Sequence, residues 1–305
     1  LAHCTHEARH YLDDFTDFQE ALSDRERMVA IVAPSAAANF PGHYLRLNGW
    51  LKAEGVEAVF DVSFGAELAA RSYVNYLKGK GPRPGTAISP ACPVLVTFIE
   101  LYHPELIGHI IPCDSPMVHT MKMIRTFYPQ YRDHTIAVVS PCMAKKREFI
   151  ETGVGDYNIA YLSIDRYMKS AGLSLADFPE TGFDNPPAET AVVFSMPGGL
   201  FRSAERICPE LNGQTRTIEG IPRTYEYLAN LGKAIESGKS PWLIDCLNCD
   251  MGCNGGPLTL AKKAPRDEVE YWIRQRMREM REVYRDPGSQ DAAGPRDVQE
   301  VLDNY

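Results

Sequence analysis

The sequence lacks any apolar run of the roughly 20 residues that a membrane-spanning helix needs. It also lacks an excess of basic side chains, since 32 Lys and Arg stand against 40 Asp and Glu and give a net charge of −8. Such a charge repels phosphate backbones, so nucleic acid is not expected as a partner. With 44% hydrophobic residues over 305 positions, the composition is that of a globular chain with its own core.

Cysteine is scarce as well. Eight cysteines are too few for a disulfide scaffold in a chain of this length. Cysteines that serve as free thiols or metal ligands, and not in disulfides, are typical of a reducing compartment. We therefore expect a cytoplasmic location.

Short β-rich segments alternate with longer segments of helical periodicity. Strands are predicted at 28–33, 57–63, 86–89, 107–113, 134–140, 157–162, 190–194, 215–219 and 242–245. Helices are predicted at 41–55, 65–80, 93–106, 116–128, 163–171, 198–207, 221–237 and 267–284. Because most of these strands show little polar alternation, we expect parallel sheets buried on both faces.

The predicted architecture is α/β, with two lobes that each hold a mainly parallel sheet flanked by helices. The lobes are expected at about 27–120 and 121–240, followed by a C-terminal helical closure at 241–285. Residues 1–26 are an N-terminal lead-in, and residues 286–305 form a polar tail. In the last helix one stripe, apolar except for an arginine, predicts that this helix packs on the outside of the lobes. Its members are Val269, Trp272, Ile273, Arg276 and Met280.

Four predicted strands end in unusual peptides. Residues 33–35 are A-P-S, 89–93 are S-P-A-C-P, 140–145 are S-P-C-M-A-K, and 246–257 are C-L-N-C-D-M-G-C-N-G-G-P. Ligands of open parallel sheets bind at the carboxyl ends of the strands, so we expect these peptides to converge where the lobes meet. Proline ends the first three of these strands, and glycine in the last peptide leaves room for a bulky group.

Cys246, Cys249 and Cys253 have the spacing C-x2-C-x3-C in a glycine-rich turn, which is typical of zinc or iron–sulfur binding. Structural zinc usually has two ligand pairs, and the chain has no second C-x2-C. Together with Cys92 and Cys142 on proline turns, the pattern favours a polynuclear cluster between the lobes. A structural zinc protein remains an alternative.

These peptides resemble the three signature motifs of the iron-only (FeFe) hydrogenases. The family motif T-S-C-C-P corresponds to 89–93, M-P-C-x-x-K-x-x-E to 140–148, and M-A-C-x-x-G-C-x-x-G-G-G to 247–257. Weaker similarity lies at 33–35, 64–66, 113–116 and 194–199, so the resemblance runs from about residue 28 to residue 284.

The resemblance implies a bound cofactor in two parts. The implied ligands of a 4Fe-4S cluster are Cys92, Cys142, Cys249 and Cys253. Cys253 would also bridge to a two-iron subcluster with CO, cyanide and azadithiolate, whereas Cys246 would not be a ligand. Lys145 is implied as a charged donor to cyanide, and the backbone around Pro34, Ser35 and Ala91 as a further source of donors and contacts. The alternative for Lys145 is a surface lysine paired with Glu148.

Several positions depart from the family pattern. Ala91 stands where catalytic members have the cysteine that exchanges protons with the bridging amine. Residues 67–72 lack the paired glutamates that continue the proton relay in those members, and Ser140 and Leu247 stand where methionine is common. Such losses resemble the sensory hydrogenases. Any proton route is expected to use water or another thiol such as Cys113.

The resemblance therefore implies slow, reversible H2 oxidation and proton reduction in a hydrogen sensor of anaerobic metabolism. The alternative function is a non-catalytic iron–sulfur protein, similar to the eukaryotic cytosolic cluster-assembly factors, that holds only a 4Fe-4S cluster. Implied partners are a ferredoxin-like electron donor or acceptor, maturation proteins and a downstream signalling module. The alternative source of electrons is an upstream iron–sulfur domain. In that case we expect residues 1–26 to be a remnant of this domain.

Overall fold

The structure, a computed structural model, describes residue 11 and residues 13–285. It shows the expected α/β fold, with two parallel sheets flanked by helices. Of the N-terminal lead-in, the described part contains α1 (Phe15–Ser23), which packs against the edge of the first sheet. The tail predicted at 286–305 lies outside the described residues.

The first sheet has four parallel strands in the order β2-β1-β4-β5. Its strands are β1 (Met28–Val32), β2 (Ala58–Asp61), β4 (Thr135–Ser140) and β5 (Tyr157–Ala160). Every residue of β1 and β2 is buried, because helices cover both faces. This double burial explains the apolar runs without alternation in the sequence.

The second sheet has three parallel strands in the order β3-β7-β6. They are β3 (Ala87–Ile88), β6 (Thr215–Glu219) and β7 (Leu243–Leu247). The central strand is β7, and all five of its residues are buried.

The predicted boundaries between the lobes do not separate the two sheets. Strands β4 and β5, from the segment assigned to lobe two, pair with β1 and β2 of lobe one. Strand β7, assigned to the helical closure, is the centre of the second sheet. Parallel strands are joined by long crossover connections, so two strands that pair in a sheet can lie far apart in sequence. Lobes defined as continuous residue ranges therefore do not coincide with the sheets.

Helices fill the crossovers between the strands. They are α2 (Ala36–Asn39), α3 (Tyr44–Ala53), α4 (Val62–Gly79), α5 (Pro93–Tyr102), α6 (Pro116–Phe127), α7 (Lys145–Thr152), α8 (Tyr161–Ala171), α9 (Gly199–Ile207), α10 (Arg223–Glu236) and α11 (Arg266–Arg285). None of the helices in the described range combines the length and hydrophobicity that crossing a bilayer requires.

Two predicted strands are wrong. Residues 107–113 contain the end of a 3₁₀ helix, Pro104–His109, and only an isolated bridge at Ile110, since Pro112 cannot donate to a ladder. Residues 190–194 are largely the buried 3₁₀ helix Ala191–Ser195. There the carboxylate of Glu67 accepts hydrogen bonds from the N–H groups of Thr190 and Ala191, at 2.7 and 2.9 Å. The Glu67 carboxylate thus accepts from backbone N–H groups that would otherwise need the carbonyls of a neighbouring strand as partners.

The C-terminal helix α11 packs on α2 and on the 3₁₀ helix Ala191–Ser195. Val269, Ile273, Arg276 and Met280 of the predicted stripe are buried, and Trp272 is partly buried, so the stripe is confirmed. The charge of Arg276 is the part that apolar packing does not explain.

Candidate metal-cluster site

A cavity of about 80 Å³ lies at the carboxyl ends of the strands, and its lining comes from both sheets. The predicted site residues that line it are Pro34, Ser35, Ala91, Cys142, Lys145 and Cys253. Val62, Phe194 and Leu247 complete much of the apolar lining. The peptides that follow β1, β3, β4 and β7 therefore meet at one place.

Cys92 and Cys249 do not line this cavity, but they lie near the two cysteines that do. Burial raises the pKa of Cys142, and the neighbouring Cys92 thiol raises it further. Burial and the thiols of Cys92 and Cys142 raise the pKa of Cys249 to about 12. Burial, with all three other thiols, raises the pKa of Cys253. The four sulfurs thus surround one region beside the cavity, and none of them is in a disulfide.

Among the described residues, no group of three or more His, Cys, Asp or Glu side chains is arranged to hold one metal ion. The four thiols lie close enough to alter one another's pKa. Four cysteine thiolates are the usual ligands of a 4Fe-4S cluster.

Two of the thiols lie at helix starts, and one of them receives backbone donors there. Cys92 is the N-cap of α5, with Pro93 at the first helical position, where the missing N–H costs nothing. Cys142 lies just before α7, and the N–H groups of Ala144 and Lys145 donate to its sulfur and lower its pKa against the effect of burial. Donors at a helix start favour a thiolate, which is the form that binds iron.

Lys145 is partly buried beside the cysteines and lines the cavity. Its Nζ donates to the carbonyl of Ala91 at 3.1 Å and to Oε2 of Glu148 at 2.9 Å. Burial lowers the pKa of Lys145, but Glu148 and the Cys142 thiolate raise it by more, so the net shift is upward. Lys145 does pair with Glu148, as the alternative held, but inside the site rather than on the surface.

The loop after β1 carries an unsatisfied donor into the site. Ser35 is fully buried, and its Oγ lies 2.9 Å from the hydroxyl of Tyr161. Tyr161 also donates to the carbonyl of Ala33 at 3.2 Å. The backbone N–H of Ser35 has no acceptor among the described residues. Buried N–H groups are nearly always paired, so this one indicates a ligand that accepts a hydrogen bond in the cavity.

The glycine-rich turn after β7 is tight for a reason that the sequence did not reveal. A Cβ at Gly255 would lie 1.8 Å from the carbonyl oxygen of Asp250, and one at Gly256 would lie 3.0 Å from that of Pro141. The glycines therefore make room for the chain's own backbone, in addition to any bulky group.

The remaining sequence candidates have simpler surroundings. Cys246 is buried in the apolar core on β7. Cys113 is partly buried and packs on the same apolar cluster as Ala91. Ala91 itself offers only a methyl group to the cavity.

Sequence reasoning missed two residues that hold the loop after β1, Tyr161 and Arg276. Tyr161 is the first residue of α8, and its position directly after β5 was the available signal. Arg276 donates to the carbonyl of Pro34 at 2.9 Å from the far end of the chain, and nothing local in the sequence indicates that contact.

Comparison with known proteins identifies the family. The family described as iron only hydrogenase large subunit, C-terminal domain, matches residues 26–257, which is more than half of the chain. The chain belongs to this family. It is similar to the periplasmic Fe hydrogenase large subunit of Nitratidesulfovibrio vulgaris, with 24% identity over 246 residues, 65% of this chain and 58% of that protein. It thus spans less than two thirds of that relative.

Solved FeFe-hydrogenases have the same fold. Two variants of HydA1 from Chlamydomonas reinhardtii give TM-scores of 0.64 and 0.66 at 16% and 15% identity. Each comparison covers 95% of this chain and 98% of the other.

The iron-only hydrogenase family carries the H-cluster, a 4Fe-4S cluster joined to a two-iron subcluster. The residues of this chain fit both parts. Four free thiols surround the space for the first part. The adjoining cavity, with a protonated lysine and the unpaired Ser35 N–H at its edge, suits the cyanide ligands of the second.

Proposed function

We propose that this domain binds a complete H-cluster and interconverts H2 with protons and electrons slowly, as the input of a hydrogen sensor. When bound, the two-iron subcluster supplies the metal chemistry that splits H2. The protein's contribution is to hold the cluster by Cys92, Cys142, Cys249 and Cys253, to hold cyanide ligands by Lys145 and Ser35, and to exclude bulk water with an apolar lining.

The observation that carries the proposal is the cavity beside Cys253. A protein that needs only a 4Fe-4S cluster needs the four thiols, but it has no use for a second space with a charged donor and an unpaired N–H. The alternative, a non-catalytic iron–sulfur protein, is favoured by one observation only. Ala91 presents a methyl group where a proton donor would be needed for rapid turnover.

The slow rate and the sensory role rest on proton transfer. The titratable group that lines the cavity besides the cysteines is Lys145, whose Nζ contacts Glu148. Glu148 Oε2 in turn accepts a hydrogen bond from Ser115 at 3.1 Å. The raised pKa of Lys145 makes loss of its ammonium proton unfavourable. The contacts from Lys145 through Glu148 to Ser115 therefore fix the positions of these side chains but conduct protons poorly. A weak catalyst can still report H2 through its redox state.

The partners follow from this function. We propose a ferredoxin-like protein or iron–sulfur domain as the electron donor or acceptor, maturation proteins as the source of the two-iron subcluster, and a signalling module as the recipient. A cytoplasmic location is proposed because the thiols needed as ligands must stay reduced.

Infrared spectroscopy of the full chain tests the proposal. Co-expression with the hydrogenase maturation proteins should give CO and cyanide bands. Expression without them should give no such bands, while the visible absorption spectrum still shows the 4Fe-4S cluster. Iron–sulfur signals without CO or cyanide bands in both preparations would favour the assembly-factor alternative. Bound zinc without iron would contradict both functions.

A further inference from the structure

Arg276 is a buried charge in an otherwise apolar stripe. Its side chain has no exposed surface, although it lies on a surface helix. One guanidinium nitrogen lies 2.7 Å from Oδ2 of Asp61, which is equally buried. The guanidinium also lies between two rings, 4.9 Å from the centroid of Tyr44 and 5.3 Å from that of Phe183. Buried charges are rare unless paired, so this group has a specific task.

The task is indicated by the third contact. Nη1 of Arg276 donates to the carbonyl of Pro34 at 2.9 Å. That carbonyl belongs to the same amide as the Ser35 N–H, the buried donor without an acceptor among the described residues. In a trans peptide the C=O and N–H bonds point in opposite directions. Fixing the carbonyl toward Arg276 therefore fixes the N–H on the opposite side.

The charge also acts through the amide. A hydrogen bond from a cation to a carbonyl polarises the peptide and makes its N–H a stronger donor, and the effect is larger in a site of low dielectric. Asp61 accounts for the ion pair and needs no contact to Pro34. The contact to Pro34 is thus a separate function of the same side chain.

We infer that Arg276 is a positioning residue for the Pro34–Ser35 peptide, which it orients and polarises so that the Ser35 N–H donates to a cyanide ligand in the cavity. This inference rests on the proposed function, because it needs the two-iron subcluster as the source of that ligand. It gives the C-terminal helix α11 a direct contact to the loop that lines the site.

Two variants separate this role from that of an ordinary buried ion pair. The Asp61→Asn/Arg276→Met double variant removes both charges at once, so no lone charge stays buried. Asparagine can still accept from the Ser63 N–H that Asp61 caps at 2.8 Å. Arg276→Lys keeps the positive charge beside Asp61. It replaces the planar guanidinium, which reaches the Asp61 carboxylate and the Pro34 carbonyl at the same time. Arg278→Ala, an exposed position on the same helix, is the matched control.

The experiment records infrared spectra of the matured full chain, together with its iron content and melting temperature. We expect both Arg276 variants to keep the iron of the 4Fe-4S cluster and to shift at least one cyanide band, or to lose the CO and cyanide bands altogether. The Arg278→Ala control should match the unmodified protein. If the double variant does not fold, Arg276→Lys decides.

Two outcomes overturn the inference and are distinct. Cyanide bands identical to those of the unmodified protein in the folded Arg276 variants would show that Arg276 has only a structural role, while the proposed function stands. No CO or cyanide bands in the matured, unmodified protein would overturn the proposed function, and with it this inference.

Discussion

Ala91 is the residue on which the expected rate depends. Its methyl group lines the cavity at the position where catalytic relatives have a thiol, and its carbonyl is already engaged by Lys145. A positioned acid or base contributes about 10²–10⁴-fold to a rate. Without one, proton transfer from the cavity depends on water or on groups further away.

We expect Ala91→Cys to raise H2 evolution by about tenfold or less, well below the full contribution of a relay. The reason is that a thiol at this position still lacks the glutamates that continue the relay in catalytic relatives. The measurement is H2 evolution from a reduced dye by the matured protein, with Ala91→Ser as the control for added bulk. Turnover by the unmodified protein as fast as that of catalytic relatives would show that Ala91 does not limit the rate.

Lys145→Ala should remove the two-iron subcluster and spare the 4Fe-4S cluster. A hydrogen bond from a charged donor contributes roughly 1.5–3 kcal/mol, enough to decide whether a weakly held group is retained. Infrared bands and iron content measure the two parts separately. Lys146→Ala, next to it but largely outside the site, is the control. Unchanged cyanide bands in Lys145→Ala would rule out the assigned contact.

The turn after β7 is the element that constrains the cysteine ligands most. Gly255→Ala places a methyl group 1.8 Å from a backbone oxygen, and backbone cannot yield as a flexible side chain can. We therefore expect most of the bound iron to be lost, because Cys249 adjoins Asp250 and Cys253 lies between Asp250 and Gly255. Gly232→Ala in α10 meets nothing within 4 Å and should keep full iron content. Equal iron content in the two variants would refute this interpretation of the turn.

Strand β7 carries a buried acid with a consequence for stability. Burial raises the pKa of Asp245 from 3.8 to about 7, although the Phe201 N–H and Arg202 lower it in part. Since the folded state binds the proton more tightly than the unfolded state, stability falls as pH rises from about 4 to about 7, by roughly 4 kcal/mol.

Asp245→Asn should consequently raise the melting temperature at pH 7 and flatten its dependence on pH between about 4 and 7. Thermal unfolding of the full chain at several pH values measures both effects. Asp133→Asn, at an exposed position, is the control. A lower melting temperature for Asp245→Asn at pH 7, with an unchanged pH profile, would contradict the raised pKa.

The elements that could be predicted are those whose signal is local. Three strands of the first sheet, although not their pairing, were predictable because β1, β2 and β4 are apolar runs bounded by proline or by polar turns. The segment 190–194 was not, since its conformation depends on the Glu67 carboxylate from α4, more than a hundred residues away. A short apolar run alone does not distinguish a strand from a buried 3₁₀ helix.

In the molecule as a whole, the sequence predicted which peptides carry the site but not how the chain arranges them. The peptides at 33–35, 89–93, 140–145 and 246–257 were identified by their residues, and the structure brings them to one cavity. The interleaving of the two sheets, with β7 at the centre of the second, was not predictable from order along the chain. The contact between Arg276 and Pro34 likewise depends on packing between distant segments.

Residues of both sheets line the cavity, and α11 contacts the loop after β1. The account therefore makes one claim about the whole molecule, which is that the thiols and the cavity together hold a group that reacts with H2. The most direct test is the infrared spectrum of the matured protein, recorded first under argon and then under H2. We predict CO and cyanide bands under argon that shift under H2 as the cluster is reduced, and that return when H2 is removed. Bands that do not respond to H2, or their absence from the matured protein, would contradict the account.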